Sequence, residues 1–171
     1  MSIFDMFNIF APIKQHFTSL KEDSSTGGVF VIFGMLPLAA VIFFNTQDLI
    51  LFNYDIANTL LTIFSILIGF TISILTLLLE YVNSGADENV RQLHKHTYYN
   101  TNYLLILGIL ILIFGIITYP IMLKKMMRTQ TIVVSAIYFL IANYLLTLLL
   151  IVKRYSKLFD KKISTRITQH Q

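Results

Sequence analysis

Four long apolar stretches without any Asp, Glu, Lys or Arg dominate this chain of 171 residues. They cover residues 28–44, 57–79, 103–123 and 132–152. About 20 consecutive apolar residues in a helix can cross the roughly 30 Å hydrocarbon core of a bilayer. Backbone polar groups in lipid must be hydrogen-bonded within the protein, and four segments are too few to close a barrel. The sequence therefore predicts an all-α integral membrane protein, a four-helix transmembrane bundle.

The composition supports this prediction and narrows the chemistry. Apolar residues make up 56% of the chain and charged residues 13%, against about 25% charged residues in an average soluble domain. The absence of Cys excludes disulfides, thiolate metal sites and thiol nucleophiles. Residues 1–27 lack the short basic n-region of a signal peptide. We therefore divide the chain into a cytoplasmic N-terminal segment (1–27), a transmembrane domain (28–152) and a basic cytoplasmic tail (153–171).

The connections between the spans predict the orientation. Cytoplasmic loops of membrane proteins are enriched in Lys and Arg. If both termini lie in the cytoplasm, ten of the 13 Lys and Arg residues are inside and three are outside. The opposite orientation reverses this ratio, so we predict an N-in, C-in topology. The three outside residues are Lys124, Lys125 and Arg128, whose long side chains can reach the lipid headgroups.

The N-terminal segment has an amphipathic pattern. Phe10, Ile13, Phe17 and Leu20 follow one another at spacings of three, four and three residues. Such a helix is suited to the membrane interface, although Pro12 interrupts or kinks it. We predict an N-terminal amphipathic interfacial helix. Packing against the cytoplasmic ends of the bundle is the alternative, and the pattern favours neither.

The second span carries a lane of small and polar residues at spacings of three and four. We call this lane the polar stripe; it consists of Asn58, Thr62, Ser65, Gly69, Ser73, Thr76 and Glu80. Small residues allow helices in lipid to approach closely, and hydroxyl groups can bond across the contact. The stripe therefore packs inside its own bundle, forms a seam between subunits, or lines a narrow pore. A pore also needs charged or carbonyl rings, and only Glu80 offers one.

Two further groups of polar residues have alternative interpretations. Asn143 lies near the middle of the fourth span, where a buried amide needs a hydrogen-bond partner. That partner belongs either to this chain or to a second subunit of a homo-oligomer. The other group is basic, and we predict that it contacts a soluble partner protein or anionic lipid. Its members are Lys153, Arg154, Lys157, Lys161 and Lys162 in the tail, and Arg91 and Lys95 between the second and third spans.

One spacing resembles a catalytic signature. Arg91 and His96 match the Arg-x4-His motif of the HEPN ribonucleases, in which Arg would hold the phosphate and His would act in acid–base catalysis. Residues five apart on a helix lie about 140° apart around its axis, and the connection is too short for the helical bundle that carries this motif. His94 and His96 have no further ligand cluster to complete a metal site. We predict no enzymatic activity, metal, cofactor or direct nucleic-acid contact.

The pattern from Ile63 to Leu75 and the Lys-rich tail resemble the small four-span membrane subunits of bacterial antiphage defence operons, and among these the membrane subunit of the Kiwa system. The resemblance implies an oligomeric sensor or scaffold in the bacterial inner membrane that engages a soluble, DNA-acting partner in the cytoplasm. We expect this function here. The alternatives are an oligomeric pore-forming effector that depolarises the membrane and, third, a membrane-tethered ribonuclease using Arg91 and His96.

Overall fold

The computed structural model describes residues 10–23, 25–47, 52–82, 88–124 and 126–169. All regular structure within this part is helical, which confirms the predicted fold class. The α-helices are α1 (Phe10–Asp23), α2 (Thr26–Phe30), α3 (Leu36–Thr46), α4 (Tyr54–Val82), α5 (Glu88–Leu123) and α6 (Met127–Gln169), with a π-helical turn, Val31–Met35, between α2 and α3.

Four helical segments are long and apolar enough to cross a membrane. They are Thr26–Thr46, Tyr54–Leu79, Val90–Leu123 and Arg128–Lys157, and each contains one of the predicted apolar stretches. The last two helices also extend beyond those stretches, since α5 begins at Glu88 and α6 ends at Gln169. Hydropathy marks the part of a helix that sits in lipid, whereas the helix itself continues into polar sequence.

The first span is continuous but irregular around Gly34 and Pro37. The N–H of Leu36 bonds to the carbonyl of Val31, five residues earlier, instead of the usual four. Pro37 has no N–H, and in a regular helix its ring would crowd the carbonyl of Phe33. A π-turn directly before the proline widens the helix and relieves that crowding.

The four spans pack in the order first, fourth, third, second. α4 packs along α5, α5 packs along α6, and the first span lies on α6. Side chains of α4 and α6 also meet, since the rings of Phe64 and Tyr144 contact edge to face at 5.0 Å. These rings belong to the largest buried cluster, whose other members include Leu104, Leu107 and Ile111.

Two glycines of α5 allow it to approach α4 closely. A Cβ atom at Gly108 would lie 2.9 Å from Ile68 Cγ1, and one at Gly115 would lie 2.9 Å from Leu61 Cδ2. The two glycines are seven residues apart and so lie on one face of the helix. Close backbone approach is a main source of helix association in lipid. Sequence reasoning missed this pair, although its spacing of seven is a readable signal.

The segments predicted to be cytoplasmic meet at one end of the molecule, which we call the basic end. There α1 packs against α5, and the guanidinium of Arg154 in α6 donates to the backbone oxygen of Ser19 at 3.4 Å. α1 buries His16, Ser19 and Leu20, while Phe10 is 80% exposed. One face of α1 thus packs on the bundle, as the alternative interpretation had it. The interfacial position of its other face, and the side of the membrane that this end faces, stay predictions.

Candidate functional site

A buried polar joint connects α1 to the spans at the basic end. The Oδ1 atom of Asn100 lies 2.8 Å from Nδ1 of His16 and 3.1 Å from Oγ of Ser19. Because a carboxamide oxygen only accepts, the His16 imidazole donates from Nδ1. The side chains of His16 and Asn100 are fully buried. This joint fixes α1 against the helix that continues into the third span.

Aromatic rings enclose the His16 imidazole. It stacks on Tyr103 with ring centres 3.9 Å apart and meets Phe17 and Phe33 edge-on at 5.1 and 5.5 Å. Burial lowers the pKa of His16 from 6.5 to about 4; the hydrogen bond to Asn100 raises it, and the positive charge of Arg154 lowers it. The imidazole is therefore neutral at neutral pH, and its role in this joint is structural.

A second polar contact joins α1 to α5 nearer the surface. The carboxylate of Glu22 lies 2.9 Å from Nε2 of His96 and accepts a hydrogen bond from the Gln92 amide at 3.3 Å. His96 is buried, whereas Glu22 is half-exposed. The Glu22 carboxylate is thus engaged by two residues of α5.

Between α1 and the first turns of α5 lies an open cavity of about 720 Å³, which we call the basic groove. Of the residues that the structure describes, three with cationic side chains line it, Lys14 from α1 and Arg91 and Lys95 from α5, together with one carboxylate, that of Glu22. Nζ of Lys95 lies 5.9 Å from the centre of the Tyr99 ring. The other lining residues are Ala11, Gln15, Thr18, Ser19, Gln92 and His96. Sequence reasoning singled out Arg91 and Lys95, but no local signal paired them with Lys14.

The polar stripe lies on the outside of the molecule. Its members from Asn58 to Thr76 are all exposed, and the side chain of Glu80 lies outside the described residues. The face of α4 that packs inward is a different lane, with buried residues every seven positions: Ala57, Phe64, Thr71 and Leu78. The stripe is therefore not the packing face of its own bundle. The seam and the pore stay as interpretations.

The hydroxyl groups of the stripe are hydrogen-bonded within the chain. Thr62, Ser65, Ser73 and Thr76 each donate to the backbone oxygen four residues earlier, at 2.7–3.1 Å. The Tyr119 hydroxyl of α5 donates to the side-chain oxygen of Asn58. Hydroxyl groups bonded in this way can face lipid without a large penalty, and their oxygens still have lone pairs for a second donor.

Asn143 lies inside the chain, where one of its two predicted alternatives placed its hydrogen-bond partner. It is 3% exposed, and its amide donates to the backbone oxygen of Phe139 in the same helix at 3.1 Å. The within-chain alternative therefore describes this residue.

The predicted docking residues occupy different environments. Lys153 and Lys157 are exposed on α6, and Lys161 and Lys162 lie in the same helix with side chains outside the described part. Arg154, in contrast to the prediction, is 3% exposed and bonds to the Ser19 carbonyl. It joins α6 to α1 and is not part of an exposed docking surface.

The residues of the ribonuclease-like spacing both line the basic groove. Arg91 and His96 face the same cavity, but Nε2 of His96 is held by Glu22. Among the residues that the structure describes, no group of three His, Asp or Glu side chains could hold a metal ion.

Comparison with known proteins does not identify the chain: no protein-family profile matches it, and neither does any curated protein or solved structure.

Proposed function

We propose that this chain is a non-enzymatic subunit of a multi-pass membrane complex, which forms homo-oligomers through the polar stripe and docks a soluble protein at the basic end. The exposure of the stripe from Asn58 to Thr76 carries this proposal. Small and hydroxyl side chains give lipid tails little to pack against. Facing a second helix, they allow the close backbone approach that associates helices in membranes.

The burial of α4 supports the stripe as the oligomer seam. In its most apolar window only 11% of residues are buried, against 22–33% in the other three spans. A Cβ atom at Gly108 or Gly115 would meet a side chain of α4, whereas in the described part of the chain one at Gly69 would have nothing within 4 Å. The outer face of α4 therefore has small residues that would let another helix approach closely, as the glycines of α5 let α4 approach. The α4 helix of a second copy of this chain presents the same small and hydroxyl residues, and we take it as the partner of the stripe.

The tail supports docking of a soluble partner. α6 continues to Gln169, and its exposed Lys153 and Lys157 lie where the helix leaves the span. A basic helix that continues beyond the span is suited to an acidic protein surface. The resemblance of Ile63–Leu75 and of the tail leads us to assign the complex to antiphage defence in the bacterial inner membrane, as a sensor or scaffold.

The mass of the complex tests this function. The full chain is co-expressed with its neighbouring gene products and reconstituted in nanodiscs, and the molar mass of the complex is measured by light scattering. We expect a homo-oligomer that carries a soluble protein. Gly69→Leu should reduce it to a monomer, whereas Phe70→Leu, an exposed change beside the stripe, should not. A monomeric wild-type protein would contradict the seam, and a homo-oligomer that never retains a soluble protein would contradict docking.

The exposed hydroxyls of the stripe also favour a pore as a second candidate function. If several copies turned their stripes toward one axis, Ser65 and Ser73 would line it. Ion flux from liposomes distinguishes the two functions. A pore predicts flux that Ser65→Leu or Ser73→Leu abolishes, whereas a scaffold predicts no flux from the oligomer.

A further inference from the structure

We propose that the basic groove binds the phosphate group of an anionic phospholipid. The site is formed by Lys14 of α1 together with Arg91 and Lys95 of α5. The ligand chemistry is a phosphate ester, and its source is the lipid headgroup layer next to the protein. This inference is independent of the proposed oligomer and of the docked partner.

The charge of the groove favours a phosphate. Lys14, Arg91 and Lys95 line the cavity, and among its described lining residues the one carboxylate, that of Glu22, is engaged by His96 and Gln92. The amide of Gln15 and the hydroxyl of Tyr99 add neutral donors to the wall. Amine, guanidinium and amide donors around a cavity are the groups that bind phosphate oxygens.

The depth of the groove favours a lipid as the source of that phosphate. The apolar stretch of α5 begins at Tyr103, so Tyr99 and Lys95 lie about 6 and 12 Å further along the helix axis. The headgroup layer on each side of a bilayer is about 5–8 Å thick, and lysine side chains extend several ångströms beyond their backbone. The inner part of the groove therefore lies level with the phosphates of adjacent lipids.

The size and construction of the groove fit a headgroup. Its volume of about 720 Å³ falls within the range of about 300–1,000 Å³ that is typical of small-molecule sites. The buried joint of His16 and Asn100 and the Glu22–His96 contact hold its two walls together. Basic pockets beside transmembrane helices are the usual sites of anionic lipid headgroups. An acidic protein would instead need a broad exposed surface.

Native mass spectrometry of the full chain in detergent, titrated with phosphatidylglycerol or phosphatidylcholine, tests the site. We expect discrete binding of phosphatidylglycerol and at least tenfold weaker binding of phosphatidylcholine. The double variant Lys14→Gln, Lys95→Gln should bind phosphatidylglycerol about 30-fold more weakly, which corresponds to about 2 kcal/mol for two basic residues. The variant Lys14→Arg, Lys95→Arg should retain binding.

The control variant is Lys21→Gln, Lys124→Gln, which removes the same charge from two exposed lysines outside the groove. It should bind like the wild type. Equal weakening in both Gln variants, or equal binding of the two lipids, would overturn the site. If the double Gln variant in the groove loses its helical circular dichroism, the test uses the single variants Lys14→Gln and Lys95→Gln. The preference of the wild type for phosphatidylglycerol over phosphatidylcholine then tests the site as well. Binding of free glycerol phosphate as tightly as phosphatidylglycerol would overturn the lipid as the source.

Discussion

Two surfaces of α4 and α5 use the same residue types in opposite situations. On α5, Gly108 and Gly115 face inward, and the side chains of Ile68 and Leu61 of α4 occupy the space beside them. On α4, Gly69 and the hydroxyl residues around it face outward with no such neighbour. Small residues in a transmembrane helix therefore indicate close packing against another helix, but they do not indicate whether that helix belongs to the same chain or to a second one. The comparison predicts that substitutions at the covered surface affect folding, and those at the open surface affect assembly.

The largest effect is expected at the covered surface. Gly108→Leu places a side chain where Ile68 Cγ1 already lies 2.9 Å from the Cβ position, and such overpacking costs about 3 kcal/mol. Gly115→Leu should cost less, because Leu61 Cδ2 is the movable end of its side chain. Unfolding titrations in mixed micelles measure both, with Gly69→Leu as the outward control. Equal loss at Gly69 would break the comparison.

Lowering the pH should destabilise the folded protein at the His16–Asn100 joint by a similar free energy. The pKa of His16 falls from 6.5 in the unfolded chain to about 4 in the folded protein, so the unfolded chain binds more protons between these values. The contribution of His16 to the free energy of unfolding is therefore fully present above pH 6.5. It falls by about 1.4 kcal/mol per pH unit as the pH is lowered to 4. Arg154 and Tyr103 face the imidazole; both keep their charge state in this range.

The variant His16→Gln isolates that dependence. It should lower stability at pH 7, because the stacked ring and its bond to Asn100 are lost. The slope of stability between pH 6.5 and pH 4 should become shallower by about one proton. An unchanged slope would assign the acid sensitivity to another group.

A smaller effect is expected where the stripe touches its own chain. Tyr119→Phe removes the hydroxyl that donates to Asn58, and interhelical hydrogen bonds in membranes contribute about 0.6–1.7 kcal/mol. A double-mutant cycle with Asn58→Ala measures the coupling between the two side chains. Strictly additive losses would show that this hydrogen bond contributes nothing.

The smallest effect on folding is expected along the rest of the stripe. Ser65→Ala and Ser73→Ala remove exposed hydroxyls that bond only their own helix in the described structure, so monomer stability should change by less than about 0.5 kcal/mol. Their effect should appear in the equilibrium between monomer and oligomer, measured by dilution in lipid. A folding loss above 1 kcal/mol, on the order of a lost buried hydrogen bond, would mean that the stripe supports the monomer.

Local sequence predicted the spans well and the site only in part. Every predicted span lies within a transmembrane helix, and the first span is irregular where Gly34 and Pro37 stand. The direction in which a residue faces was harder to predict. Asn143 and Arg154 proved internal, whereas the stripe proved external, because each assignment depends on which neighbour a helix meets.

By itself, the sequence determined the membrane-spanning class, the helical fold and the positions of the four spans. These follow from apolar length and from the need to bond every backbone group in lipid, both of which are properties of one segment at a time. Only the tertiary structure decided that α1 packs on α5, that Lys14 joins Arg91 and Lys95 in one groove, and that the polar stripe faces outward. In lipid all helix faces are similarly apolar, so packing geometry selects the face that turns inward.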